Sequence, residues 1–444
     1  MRFVRGVVFA FVFLLCGVTI SPVLSRAQAT PPQQPAAQTA PAQPTSTDAY
    51  TLPPDKLAQA KALNAIRLTL EIVGTLWGLA VLWILLARRW AAGLEAWVKS
   101  VSRYRWVQGL IFFAAFIVIT TIASLPLDAI GHTASRHYGI SVQGWGSWLG
   151  DQGKSLAIGI VIGSLIMLLF NWIVRISPRL YWVWVWVISI PLIVAAVVIT
   201  PLVIDPLFNK FEPLTNTHAP LVTKLETVVA RTGTNIPPER MFLMKASEKS
   251  NGINAYVTGL GATKRFVMWD TTTDRMPDDE ILFVFGHESG HYVRNHIPKM
   301  LSIMCVALFF VFWGCARFAE WMVRRFGVRW GIESVAGRAG FLTLIFAISI
   351  VSFFLTPATN TMSRHYEHEA DVYGQEAIHG LVTDPVKTTV SAFNHLGEAW
   401  LEDPAPNPIV EFWDYNHPSV QNRAKFAREY DPWANGGKGK FFDK

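Results

Sequence analysis

Charged residues are scarce in this chain. Asp, Glu, Lys and Arg together make up 16% of its 444 residues, where soluble domains carry about a quarter. Cysteine is scarcer still. The three present cannot build a disulfide framework: Cys16 sits in the first apolar run, and Cys305 and Cys315 share one expected helix almost three turns apart, beyond bridging distance. Their expected role is apolar packing. Also missing is any stripe of clustered basic residues, so the net charge of +7 does not read as a nucleic-acid surface, and no nucleic-acid partner is expected.

Apolar and aromatic residues fill the gap. Hydrophobic residues reach 51%, with 18 Trp and 28 Phe. Six runs, at about 68–87, 107–127, 155–174, 181–203, 300–316 and 341–357, are apolar enough for membrane helices, the last two being the shortest. A seventh, near 6–24, follows Arg2 and Arg5 and precedes Ala27-Gln28-Ala29. That is the pattern of a secretory leader, cleaved after Ala29 or retained as an anchor. The chain therefore divides into a leader over 1–29, a disordered Pro/Gln/Ala-rich linker over 30–50 and transmembrane helices over 51–203. A polar block over 204–299, two more spans over 300–358 and a tail over 359–444 complete it.

Basic residues mark one side of the membrane. The loop 88–106 carries Arg88, Arg89, Lys99, Arg103 and Arg105; the turn 175–180 carries Arg175 and Arg179. The loop 317–340 carries Arg317, Arg324, Arg325, Arg329 and Arg338, whereas 128–153 carries only Arg136. Positive loops stay in the cytoplasm, so 204–299 and the tail are expected outside, in agreement with an exported residue 30.

The chemistry is concentrated in those outer segments. In Gly286-His-Glu-Ser-Gly-His291, a helix sets His287 and His291 on one face, where both can reach one metal, with Glu288 beside the first to hold a metal-bound water. A helix over 219–232 is expected from the spacing of Leu221, Leu225, Val228 and Val229. Strands over 240–245, 253–258 and 266–270 precede the metal helix, which starts after Met276-Pro277-Asp278. Strands leading into such a helix make a thermolysin-like α+β core, whose edge strand binds substrate backbone; Asn254-Ala255-Tyr256 is the candidate edge. Two histidines need a third protein ligand. Past the last apolar run, Glu367 and Asp371 share a helix face, so one can bind metal while the other orients an imidazole. Paired with the upstream motif, Glu367 is the expected ligand. Glu369, His365 and His368 point elsewhere, and His296, five positions past His291, reads as structural.

At these residues the chain resembles the type I CAAX prenyl protease family of integral-membrane zinc metallopeptidases, from about residue 65 to about 428. Ser124-Leu-Pro-Leu127, His137-Tyr-Gly139, Asp205-Pro-Leu-Phe-Asn-Lys-Phe-Glu-Pro-Leu214, Asn254-Ala-Tyr256, Gly286–His291, Ser363–Asp371 and Asn416-His417-Pro418 with Arg423 follow in family order. The resemblance implies a mostly α, polytopic fold. A ring of six or seven membrane helices would surround a water-filled chamber, capped by the peptidase domain. It implies one Zn2+ per chain held by His287, His291 and Glu367, Glu288 as general base, and His417 and Arg423 on the oxyanion or substrate. Asn254 and Tyr256 would bind the peptide backbone.

The signal-like start and Pro/Gln linker depart from the eukaryotic pattern. They point to a bacterial inner membrane, with the catalytic domain in the periplasm. Expected partners are the lipid bilayer and a peptide or protein substrate: unfolded, membrane-associated or lipid-linked envelope proteins. Processing of prenylated CAAX C-termini is the alternative, and a non-enzymatic transporter or scaffold is the remaining one.

Overall fold

The computed structural model describes residues 50–442. The expected leader over 1–29 lies outside the described residues, as does nearly all of the linker over 30–50. The linker's last residue, Tyr50, is instead buried with Leu52 in the cap.

An apolar segment in lipid must satisfy its backbone internally, so each long run folds as a helix. Six described helices are long and apolar enough to cross a membrane. They are α1 (Pro54–Ala87), α3 (Arg105–His137), α4 (Trp145–Ile176), α5 (Tyr181–Ile199, extended by a π turn and the short α6, Asp205–Phe208), α10 (His296–Trp330) and α11 (Arg338–Ile378). Between α1 and α3 lies α2 (Trp90–Val101), a twelve-residue helix inside the basic loop 88–106 that hydropathy alone did not reveal. α11 is the most enclosed span: 56% of its apolar window is buried, against 17% for α1. That makes α11 the central strut of the bundle.

The cap is built around a four-stranded sheet in the order β1-β2-β4-β3. Its strands are β1 (Phe211–Pro213), β2 (Met241–Met244), β3 (Ala255–Thr258) and β4 (Arg265–Trp269). β2 and β4 are parallel, and β1 and β3 add antiparallel at the two sides. β3 is therefore an edge strand. Around the sheet pack α7 (Thr215–Thr232), α8 (Asp270–Arg275), α9 (Asp278–Val293), α12 (Pro385–Trp400), α13 (Pro408–Asp414) and α14 (Val420–Glu429). One apolar core, with Phe112, Phe113, Met167, Trp330 and Ile345, lies among the spans; a second, with Leu225, Phe266, Phe283, Phe285 and Phe393, fills the cap.

Segment edges drawn from hydropathy at 299/300 and 358/359 both fall inside continuous helices. α10 begins at His296, and α11 carries on through Pro357 for 41 residues into the cap. Hydropathy registers a change of solvent, whereas the helix continues because its backbone hydrogen bonds do not depend on which solvent surrounds it. One rigid rod thus links the membrane to the chemistry.

Candidate metal centre

Regular helix geometry puts His287 and His291 of α9 on one face, and their Nε2 atoms lie 3.1 Å apart. Glu367 of α11 closes the triangle, with Oε2 3.4 Å from His287 Nε2 and Oε1 3.5 Å from His291 Nε2. The two helices approach this closely because side chains are missing between them. A Cβ on Gly374 would stand 2.8 Å from the His287 backbone nitrogen, and one on Gly290 would stand 3.0 Å from Tyr373 Cβ.

These residues fit a metal. Glu367 is fully buried, and neither of its oxygens makes a regular hydrogen bond. A buried carboxylate left so is costly unless a cation compensates it. Tetrahedral zinc bonds of about 2.0–2.1 Å place neighbouring ligand atoms about 3.3 Å apart, which matches the observed triangle. Two imidazoles and one carboxylate are a donor set suited to Zn2+.

Each histidine is steadied from behind. Asp371 Oδ1 lies 2.8 Å from His287 Nδ1, and Arg423 Nε donates to Asp371 Oδ2 at 2.9 Å. Burial alone would lower the His287 pKa; the hydrogen bonds and charges of Asp371 and Glu367 outweigh it and hold the imidazole up to about 9. Burial likewise works against the Arg423 charge, but neighbouring Asp371 raises its pKa above the ordinary value, so the guanidinium stays charged. The cationic groups here are set against two buried carboxylates, Glu367 and Asp371, whose pKa values are held below the ordinary range.

His291 is supported through an intermediary that sequence reasoning missed. His296 Nδ1 lies 3.1 Å from His291 Nδ1, and its Nε2 lies 3.1 Å from Glu369 Oε2; Arg294 holds the other Glu369 oxygen at 2.8 Å. The structural reading of His296 holds, but its expected place off the metal face is corrected: it touches His291, and Glu369 joins only through it. That expectation assumed one regular helix through residue 296, but α9 ends at Val293, and Asn295 at φ 55° turns the chain so that His296 returns against His291. The Asn in Arg294-Asn295-His296 is the available signal, because Asn tolerates the left-handed conformation.

The remaining predicted residues gather on a cavity of ≈ 930 Å3. Its wall includes His287, Glu288, His417 and Arg423, together with Asn254, Ala255 and Tyr256. Half-buried Glu288 accepts a hydrogen bond from the Val257 amide at 3.3 Å, so the edge strand and the carboxylate are in direct contact. His417 Nε2 lies 3.1 Å from Glu367 Oε2, and its Nδ1 meets Asn416 Oδ1 at 2.7 Å. Burial raises the Tyr256 pKa, which keeps the phenol protonated as a donor. The structure thus brings all ten predicted site residues into one region. Cys305 and Cys315 remain free thiols on α10, far from any pairing.

The profile of peptidase family M48 matches residues 216–431, and that of the CAAX prenyl protease N-terminal region, with five membrane helices, matches 34–210. A Bacillus subtilis protein named uncharacterized metalloprotease YhfN is 32% identical over 85% of this chain and 86% of its own length. The chain belongs to peptidase family M48. Human CAAX prenyl protease 1 homolog is 23% identical to this M48 peptidase over 72% of the chain and 73% of its own length. The crystal structure of Saccharomyces mikatae Ste24p superposes with a TM-score of 0.73 at 21% identity, covering 95% of this chain and 97% of that one, which shows a shared fold. This M48 peptidase is an integral-membrane metalloprotease; its family implies a metal, typically zinc, and a peptide or protein substrate.

Proposed function

We propose that this M48 peptidase is a one-zinc endopeptidase of a bacterial inner membrane, with its cap in the periplasm, that cleaves unfolded, membrane-associated or lipid-linked envelope proteins. The observation that carries the reading is that the His287–His291–Glu367 triangle adjoins the cavity, which His287 and Glu288 line. The cavity lining extends from Asn64 to Leu82 of α1 and to Ser349 of α11. At about 1.5 Å per residue that is about 27 Å along α1. A substrate reaching down such a space from the cap must be extended, which selects unfolded segments. The orientation rests on the basic segments 88–106 and 317–340, expected as loops but largely helical, in α2 and the end of α10. They meet at the membrane end of α11, where Arg89 donates to the Val328 and Arg329 carbonyls and Arg338 to that of Arg105.

Held by His287, His291 and Glu367, zinc would supply a Lewis acid that polarises the scissile carbonyl. Glu288 takes the proton of the attacking water and hands it to the leaving amine. His417 and Arg423 donate to oxygen as it gains negative charge, and Asp371 keeps both His287 and Arg423 aimed. Asn254, Ala255 and Tyr256 pair with the substrate backbone as an added strand, setting the peptide beside Glu288. Relatives named CAAX prenyl protease 1 favour a second reading, the processing of prenylated C-termini.

The test compares purified wild type with Glu288→Gln for zinc content and for cleavage of an unfolded protein and a prenylated CAAX peptide. One zinc per chain in both, with the unfolded protein cut only by wild type, is the expected outcome. Cleavage of the prenylated peptide alone would transfer the assignment to the second reading. Activity surviving in Glu288→Gln would remove Glu288 as the base.

A further inference from the structure

His417 reaches the metal site from an irregular segment, yet its Nε2 comes within 3.1 Å of Glu367 Oε2. The reason lies on α11. Asn360, Arg364, Glu367 and Asp371 recur at helical spacing and share one face of that helix. Glu367 and Asp371 serve the metal centre; the two residues before them grip the strand that delivers His417. The Arg364 guanidinium donates to the Glu411 carbonyl at 2.9 Å, to Phe412 at 3.3 Å and to Tyr415 from one terminal nitrogen, while the other is held by Thr361 Oγ1 at 2.8 Å. The Asn360 amide, fully buried, donates to the Trp413 carbonyl. These acceptors are carbonyls at the C-terminal end of α13, where a helix runs out of amide donors; of them the Glu411 carbonyl also accepts the Tyr415 amide at 3.3 Å. Two residues further on is His417.

The same strand is secured around this grip. Trp413 packs on Phe353 of α11 with ring centroids 5.0 Å apart, and Tyr415 Oη donates to Asn64 Oδ1 of α1 at 3.2 Å. Glu411 accepts from the Ser419 amide at 2.9 Å, closing the loop on the far side of His417. Only Arg364 binds three carbonyls at once, and its planar fork of donors has no equivalent in lysine.

We propose that Arg364, assisted by Asn360, is a positioning residue for His417, so that α11 sets both the third metal ligand and the group opposite it from one rigid face. The inference rests on the role given to His417 above. It predicts coupling: once the grip is lost, His417 is no longer in place, and deleting it costs little more.

The full-length protein in detergent is measured as wild type, Arg364→Lys, His417→Ala and the double variant, for kcat, KM, zinc content and Tm. Arg364→Lys should lower kcat by about tenfold to a hundredfold, with KM, zinc and Tm near wild type. His417→Ala should cost a further factor of less than about three in that background. Asn360→Ala, a separate lesion of the same grip, should be similarly non-additive with His417→Ala, and decides the matter if Arg364→Lys does not fold. An equal loss from His417→Ala in both backgrounds, or a kcat loss that tracks zinc or Tm, overturns the proposal. His417→Ala as active as wild type would instead remove the proposed role of His417 itself, and the clamp's purpose with it.

Discussion

Between Phe341 and Ile348, α11 buries Phe341, Leu342, Leu344, Ile345 and Ile348 among apolar helices; between Asn360 and Glu376 it buries Asn360, Ser363, Glu367, Asp371, Gln375 and Glu376. Both halves are shielded from water, yet they are held in different ways. The membrane half rests on dispersion and shape, which tolerate exchange among similar side chains. The cap half depends on particular partners. Gln375 donates to the Ala427 carbonyl at 3.0 Å, and Glu376 accepts from the amides of Lys440 and Phe441 at 2.6 and 2.7 Å. Glu367 departs from that pattern, since its oxygens face imidazoles rather than ordinary donors. Equal burial therefore says little about what a substitution will do; the chemistry of the buried group decides.

The comparison breaks most severely at the ligand. Glu367→Ala should abolish metal retention and lower proteolysis by at least about a thousandfold, read by metal analysis beside a peptide assay. Asp371→Asn leaves the triangle but removes the charge behind His287 and Arg423; zinc affinity should fall by about tenfold to a hundredfold, measured by chelator competition. Gly374→Ala tests the close approach of α9 and α11. The added methyl must displace the His287 backbone, and a loss of about 1–3 kcal/mol of stability with weakened metal binding is expected from unfolding and metal titrations. In the membrane half, Ile345→Val should cost about 0.5–1.5 kcal/mol and leave kcat unchanged. A large activity loss there would show that the two halves are not separable.

The smallest effect lies at the rim of the cap, where His395 Nδ1 meets Glu280 Oε2 at 2.6 Å. That hydrogen bond, with the Glu280 charge, raises the imidazole's pKa against the opposing effect of burial. A raised pKa stabilises the fold fully below the unfolded value of about 6.5, and the contribution fades as pH climbs through the folded value. His395→Gln should flatten that decline in Tm across neutral to mildly basic pH. An unchanged profile would show the pair to be silent.

Much of this was legible beforehand because it is local. Long apolar runs became spans because lipid leaves the backbone no alternative, and His287 and His291 met because four residues complete about one turn. The strands over 240–245, 253–258 and 266–270 appear as β2, β3 and β4, with β3 at the sheet edge. Phe211–Pro213 gave no strand signal, since its three residues pair only because β2 lies alongside. His296 escaped because a single left-handed residue, Asn295, reverses the chain where periodicity expects it to continue. Arg364 escaped because its partners are backbone carbonyls at the end of α13, and a carbonyl has no letter in a sequence.

By itself the sequence determined the apolar spans, the faces of its helices and the two histidines able to share a metal, all of which follow from spacing within a few turns. Only the tertiary structure decided how Glu367 and Asp371, both expected from the sequence, come up against those histidines, that His296 stands behind His291, and how deep the cavity runs. Those outcomes depend on how closely α9 and α11 can approach through Gly290 and Gly374, and on where a loop returns. Such distances are set by packing between segments remote in the chain.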